Sequence, residues 1–141
     1  MDPRRSARSL QSCIGTALFI AATAAQAETL VVTDSLHPVS NSSGARLIEL
    51  DKPGHLTDEL SANLPADPRR AAAAAKQRLS SQEGRRITAE LREAYQDVAD
   101  AWGLKVRKIP AVVVDRTYVV YGVSDVAMAE AMIREHLQGS R

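Results

Sequence analysis

The hydrophobic and polar positions of the chain change period several times, and the clearest pattern lies near its carboxyl end. The apolar run Ile109–Val114 is too short for a helix and predicts a strand that is buried on both faces. Asp115-Arg116 interrupts the run, and Thr117–Tyr121 resumes with β-branched and aromatic residues. The order of strand, tight turn and strand predicts a β-hairpin.

Two shorter β-rich runs lie nearer the amino end. Glu28–Asp34 and Arg46–Asp51 predict the first two strands. The segment between them, Ser35–Gly44, has loop composition and is barely long enough for a parallel crossover, so any helix in it is one turn or absent. Lys52-Pro53-Gly54 predicts a turn after the second strand.

The middle of the chain has helical periodicity. Thr57 is a candidate N-cap, and Asp67-Pro68 predicts a second helix start, with aspartate as N-cap and proline at the first helical position. A further helix carries one apolar stripe, made of Ile87, Leu91, Ala94, Tyr95, Val98 and Trp102. The stripe predicts that Tyr95 and Trp102 belong to the core and that Gly103 ends this helix.

After the hairpin, Ser124 or Asp125 can cap a final helix that runs to about Gln138. The elements together predict an α/β fold with a four-stranded mixed sheet. A helical insertion separates the second and third strands, and a C-terminal helix follows the hairpin. This arrangement, with Pro110 at the entrance of the third strand, resembles a thioredoxin-like fold. The resemblance implies a cis Ile109-Pro110 bond.

The first 27 residues have the three parts of a Sec-type signal peptide. Arg4, Arg5 and Arg8 give a basic start, an apolar segment follows, and Ala25-Gln26-Ala27 is a small-x-small cleavage site. We therefore expect a signal peptide over residues 1–27, cleavage between Ala27 and Glu28, and one mature domain over residues 28–141. An uncleaved N-terminal anchor is the alternative.

Cleavage changes the chemistry that the chain can perform. The mature chain would have 114 residues, no cysteine, and a net charge of −1, because Cys13, three arginines and Asp2 lie in the signal peptide. Thiol redox chemistry and disulfide formation are then excluded. The near-neutral charge provides no electrostatic footprint for nucleic acid. No stable membrane anchor would remain after cleavage.

The remaining candidate chemistry is sparse. His37, His55 and His136 are scattered and have no metal-ligand spacing, so we expect neither a metal nor another cofactor. Ser35-Leu36-His37-Pro38 stands where thioredoxin-like proteins place their redox motif, and it is either a pseudo-active site or a polar loop. Asp34, Ser35 and His37 are hydrolase residue types, but neighbours in sequence rarely point at one another. We expect no enzyme activity.

A second resemblance covers nearly all of the chain after residue 27. The motifs that carry it are Leu64–Pro68, Ala94–Trp102, Lys108–Asp115, Tyr118–Gly122 and Asp125-Val126. They resemble small exported proteins that are encoded in integrating conjugative elements and have a thioredoxin-like domain of unknown function. The resemblance implies a Gram-negative periplasmic protein associated with a conjugative type IV secretion apparatus, and it supplies no catalytic residues.

The resulting expectation is a non-catalytic periplasmic accessory protein that acts through contacts with protein components of that apparatus. The alternatives are a thioredoxin-like chaperone or enzyme that handles secretion components, and a small-molecule binder beside Pro110.

In thioredoxin-like folds the loop after the first strand meets the loop before the third strand. The possible partner-binding residues in these loops are Ser35, His37, Pro38, Lys108 and Pro110. The polar face of the helix between Arg85 and Asp100 is the competing surface.

Overall fold

The computed structural model of the chain describes residues 28–140. The predicted signal peptide, including Ala27 on the amino side of the cleavage site, lies outside these residues. Four strands form one sheet in the order β2-β1-β3-β4. They are β1 (Thr29–Thr33), β2 (Arg46–Glu49), β3 (Ala111–Val114) and β4 (Tyr118–Tyr121). β1 runs parallel to β2 and antiparallel to β3, which confirms the predicted mixed sheet.

Three helices separate β2 from β3, and one follows β4. They are α1 (Lys52–Ser61), α2 (Pro68–Ser80), α3 (Gln82–Gly103) and α4 (Val126–Gly139). Asp67 caps α2 and Asp125 caps α4, each by accepting a backbone N–H, as the sequence patterns predicted. Within residues 28–140, no helix is both long and apolar enough to cross a bilayer.

The sheet has an apolar core on each face, because successive side chains of a strand point to opposite sides. On one face, Leu30, Val32 and Val113 pack with Ala101 of α3. On the other face, Val31 and Val112 pack with the amino end of α4. β1 and β3 are buried over their whole length, which explains their nearly continuous apolar sequences and confirms the predicted central strand.

The hairpin between β3 and β4 turns at Asp115 and Arg116, as predicted. Their φ angles are 51° and 54°, and both central residues of a type I′ turn need positive φ. Val113 pairs with Val119 across the hairpin. Neither turn residue is glycine, so the sequence signal for this turn is weak although the hairpin is regular.

The connection from β1 to β2, residues 34–45, contains no helix. The Ser40 N–H donates to the Ser124 carbonyl over 2.9 Å, and the Val126 N–H donates back to the Ser40 carbonyl over 3.0 Å. Val39 and Ala45 of this connection pack against the core between the sheet and α4. The loop is therefore attached to the start of α4, and it takes the place that a crossover helix would fill.

The start of α1 differs from the prediction. β2 ends at Glu49, and Lys52-Pro53-Gly54 forms the first turn of α1 instead of a turn before it. Proline is tolerated there because the first N–H groups of a helix have no partner within the helix. Thr57 is not an N-cap: its hydroxyl donates to the Pro53 carbonyl over 2.8 Å inside the helix.

The core-facing side of α3 also differs from the prediction. Tyr95 is 58% exposed and Trp102 is 80% exposed, so their assignment to the core was wrong. Their neighbours Ala94 and Ala101 are buried instead. Small residues at this spacing let the helix approach α1 and the sheet closely, and that approach leaves the large aromatic rings at the flank of the contact.

Candidate functional site

One edge of the sheet carries the polar loop after β1, the start of α1 and the exposed ring of Trp102. The edge lies where β1 and β2 end and β3 begins, since Val32 pairs with Ala111. Because of this pairing, the loop that starts at Asp34 and the loop that ends at Pro110 leave the sheet from adjacent positions. In open α/β sheets, ligands bind outside the carboxyl ends of parallel strands, which is where these loops lie. The Ile109-Pro110 peptide bond is cis.

A polar cluster connects the first of these loops to the start of α1. The backbone N–H of Ser35 donates to Oδ2 of Asp51 over 3.0 Å, and the Ser35 hydroxyl donates to the same oxygen. His55 Nε2 lies 3.1 Å from that oxygen. The hydrogen bonds from Ser35, followed by that from His55, lower the pKa of Asp51 to about 2.

Asp34 organises the loop itself. Its Oδ1 accepts the backbone N–H groups of Leu36 and His37 over 3.0 Å each, and it lies 2.6 Å from Nδ1 of His37. The Thr33 hydroxyl donates to the His37 carbonyl. These bonds fold the loop onto itself and leave Leu36, His37 and Pro38 exposed.

The arrangement of these polar groups does not favour a hydrolase. Ser35 and His37 contact different carboxylates, so the histidine is not placed to activate the serine hydroxyl. Asp51, which does accept that hydroxyl, is a poor general base near neutral pH, because its pKa is so low. Within residues 28–140, no three histidine, cysteine or acidic side chains come together as metal ligands.

A pocket of about 460 Å³ opens at the same edge. Apolar side chains line most of it, namely Val32, Leu50, Ala101, Val106 and Ile109. Trp102 contributes to its wall, and Lys105, Arg107 and Lys108 surround it with positive charge. We refer to these nine residues as the Trp102 pocket. Its volume falls within the range of about 300–1,000 Å³ that is typical of ligand sites.

The wall of the Trp102 pocket forms where the chain reverses after α3. The Lys105 N–H donates to the Trp102 carbonyl over 2.9 Å, and the Val106 N–H donates to the Ala101 carbonyl over 3.4 Å. This pair of bonds is a Schellman motif with Lys105, at φ 56°, in its left-handed position. Gly103 is the last residue of α3, as predicted, but it is still helical, so the left-handed position that a C′ glycine would take falls to Lys105.

The cations of the pocket differ from other basic residues nearby. Arg46 pairs with Asp97 and with Asp100, and its Nη2 lies 2.9 Å from the Asp100 carboxylate. The hydrogen bond that Arg46 donates to Asp97 is the main reason why the pKa of Arg46 is raised. In the part of the chain that the structure describes, Lys105, Arg107 and Lys108 form no ion pair. The pocket therefore carries three positive charges that no described acidic side chain neutralises.

The residues predicted to bind a partner have three different settings. Lys108 lines the Trp102 pocket. Ser35, His37 and Pro38 are exposed in the polar loop, whereas Pro110 is buried and its carbonyl accepts the Gly122 N–H over 2.9 Å. Pro110 therefore connects the start of β3 to the end of β4 and has little exposed surface that a partner could contact.

Sequence reasoning missed Trp102 and Lys105 as members of the site. Trp102 matches the apolar stripe, and that match assigned it to the core. The signal that could have located the pocket is the run of three cations between residues 105 and 108, directly after a helix that ends in tryptophan.

Comparison with known proteins yields one match. The family model described as "Protein of unknown function (DUF1525)" matches residues 26–139. No curated protein and no solved structure matches the chain.

Proposed function

The chain belongs to this family of unknown function, and we propose that it is a non-catalytic accessory protein of a conjugative type IV secretion apparatus that acts through protein–protein contacts. The setting rests on the sequence resemblance to small exported proteins of integrating conjugative elements. A periplasmic location rests on the signal peptide expected over residues 1–27. β1 begins at Thr29, so cleavage before Glu28 would leave the whole sheet intact.

The thioredoxin-like interpretation is part of the proposal. The strand order β2-β1-β3-β4 supports it, as does the antiparallel direction of β3 against both of its neighbours. The final hairpin and α4 also occupy the positions that such folds give to their carboxyl-terminal half.

One observation carries the proposed function. Among residues 28–140, the two most exposed large apolar side chains are Leu36 at 82% and Trp102 at 80%, and both belong to the edge where β1 and β2 end. Exposed apolar side chains that gather at one place mark interaction sites, and tryptophan is enriched among residues that dominate binding energy. Burying each against a partner would contribute roughly 1.5–3 kcal/mol.

The alternative is a thioredoxin-like chaperone that handles secretion components, and the same two exposed side chains favour it. The two functions differ in selectivity. An accessory protein binds a defined component of the apparatus, whereas a chaperone binds many unrelated unfolded chains. An enzyme of the thioredoxin type would need cysteines at the loop that here contains Ser35 and His37.

The test compares two surface variants in cells that carry the whole element. Leu36→Ala with His37→Ala removes the exposed loop surface but leaves every backbone hydrogen bond of the loop available. We expect transfer frequency to fall by about tenfold or more, which corresponds to roughly 1.4 kcal/mol of binding, with an unchanged melting temperature.

The matched control is Arg85→Glu with Arg92→Glu on the polar face of α3. Arg86 is left intact because it bridges Glu83 and Glu90. The control should transfer normally. Loss of transfer in the helix variant, together with normal transfer in the loop variant, would place the interface on α3 and contradict the proposal.

A further inference from the structure

We propose that the Trp102 pocket binds an acidic segment of a partner protein and takes one apolar side chain of that segment into its interior. The inference rests on the proposed function and deepens it, because it states the chemistry of the partner.

The interior of the pocket suits an aliphatic or aromatic side chain. Its lining is mostly apolar. Leu50, Val106 and Ile109 pack against the core between the sheet and α3, and each of them is only partly buried. Trp102 has most of its surface still in contact with water. An apolar side chain placed against the indole ring would remove the surface of the ring and its own surface from water. Such burial is the main source of binding free energy at residues that anchor a partner.

The surroundings of the pocket select the charge of the occupant. Lys105, Arg107 and Lys108 are exposed and lie within four positions of the chain. The acidic residues of the nearest helical turn, Asp97 and Asp100, are already engaged by Arg46. Carboxylates on either side of an inserted apolar side chain would form ion pairs with these three unpaired cations. Such charge complementarity determines which partner binds.

The distribution of charge favours a peptide over nucleic acid. The complete chain has a net charge of only +1, so the positive charge is local to the pocket and does not form the broad basic surface that a phosphate backbone needs. The pocket is also a concavity between the end of the sheet and the end of α3, whereas binding to a membrane surface requires an exposed apolar face.

The measurement uses the intrinsic fluorescence of the protein, because Trp102 is the only tryptophan in the chain. The probe is a heptapeptide with a central leucine that is flanked on each side by three glutamates. One control peptide replaces the leucine with glycine, and the other replaces every glutamate with lysine. Protein purified from cells that express the full chain is titrated with each peptide.

The glutamate–leucine peptide should shift the emission of Trp102 to shorter wavelengths in a saturable way. Its Kd should rise about fivefold or more when the salt concentration is raised from about 50 to 500 mM, because salt screens the charge pairs. The glycine peptide should bind at least about tenfold more weakly, and the lysine peptide should not saturate.

Two triple variants distinguish the effect of charge at the pocket on binding from the effect of the net charge of the protein. Lys105→Gln, Arg107→Gln and Lys108→Gln should weaken binding at least about tenfold. Arg69→Gln, Arg70→Gln and Lys76→Gln remove the same charge from exposed positions of α2 and should leave binding unchanged. If the pocket triple variant does not fold, Arg107→Gln alone replaces it, with an expected loss of about threefold.

Equal binding of the glycine and leucine peptides would overturn the inference, as would equal loss in both triple variants. A stronger response to anionic lipid vesicles or to an oligonucleotide than to the acidic peptide would overturn it too. If the peptide binds with the expected charge dependence while the loop variant transfers normally, the pocket assignment stands and the conjugative role fails. If the loop variant loses transfer and no peptide binds, the conjugative role stands and the pocket assignment fails.

Discussion

Lys105 holds a backbone conformation that usually favours glycine, with φ at 56°. A side chain in the left-handed region costs roughly 1–2 kcal/mol, because its Cβ crowds the following carbonyl oxygen. The residue closes the last turn of α3 and at the same time contributes a cation to the Trp102 pocket. Its position therefore combines a local energetic cost with a charge that the proposed partner would use.

Replacing this lysine tests the energetic cost directly. Lys105→Gly should raise the free energy of unfolding by about 0.5–1 kcal/mol, because relief of the left-handed strain exceeds the entropy that glycine adds to the unfolded chain. Urea denaturation measures the change. Lys108→Gly is the control, since Lys108 has no positive φ, and it should lower stability by about 0.4–1 kcal/mol. Destabilisation by both substitutions to a similar extent would refute the strain argument.

At the scale of elements, the junction of α2 and α3 determines how the helical layer packs. Ser81 ends α2 and caps α3, accepting the Gly84 N–H over 3.0 Å. Arg78 connects the layer to α1, because its Nη1 donates to the Leu60 and Ala62 carbonyls over 2.7 and 2.6 Å. Gly84 is buried against the backbone of Arg78, so the two helices meet without space for a side chain.

The close contact at Gly84 reverses an ordinary rule. Alanine usually stabilises a helix interior relative to glycine by about 1 kcal/mol. A Cβ at position 84 would overlap the Arg78 carbonyl, so Gly84→Ala should lower the free energy of unfolding by about 1–3 kcal/mol.

The control is Gly103→Ala, which meets no atom within 4 Å and should be neutral or slightly stabilising. Thermal and urea denaturation of the two variants check the difference. A stabilised Gly84→Ala variant would mean that the helices separate easily at this junction.

At the scale of the whole molecule, the fold is built on β1 at the centre of a sheet that is covered by α3 on one face and α4 on the other. The first residue of this strand, Thr29, is buried, and its hydroxyl donates to Glu130 of α4 over 2.6 Å. Processing between Ala27 and Glu28 would therefore leave the whole of β1, including Thr29, in the mature chain.

Intact-mass measurement on protein recovered from the periplasmic fraction of cells that express the full chain should find Glu28 at the amino terminus. Ala27→Asp should block processing, because the cleavage site needs a small residue, and it should leave the full-length chain in the inner membrane fraction. Detection of uncleaved wild-type chain in that membrane would contradict the predicted signal peptide.

The amino-acid sequence alone determined the elements whose signals are local. A short β-rich run identified β1, and an apolar run identified β3, because a strand buried on both faces needs no polar alternation. Asp67-Pro68 and Asp125 identified two helix starts, because capping involves only residues a few positions apart. The loops of the candidate site followed from the order of these elements, and one residue of these loops that was predicted to bind a partner, Lys108, lines the Trp102 pocket.

Only the tertiary structure decided which side of α3 faces the core. Ala94 and Tyr95 both belong to the predicted apolar stripe, and Ala101 directly precedes its last member, Trp102, so periodicity does not show which of these residues are buried. Close packing of the helix selected the small residues for burial and turned the aromatic rings outward. The Trp102 pocket results from that choice and from the chain reversal at Lys105. Both depend on contacts between distant segments, which no local pattern encodes.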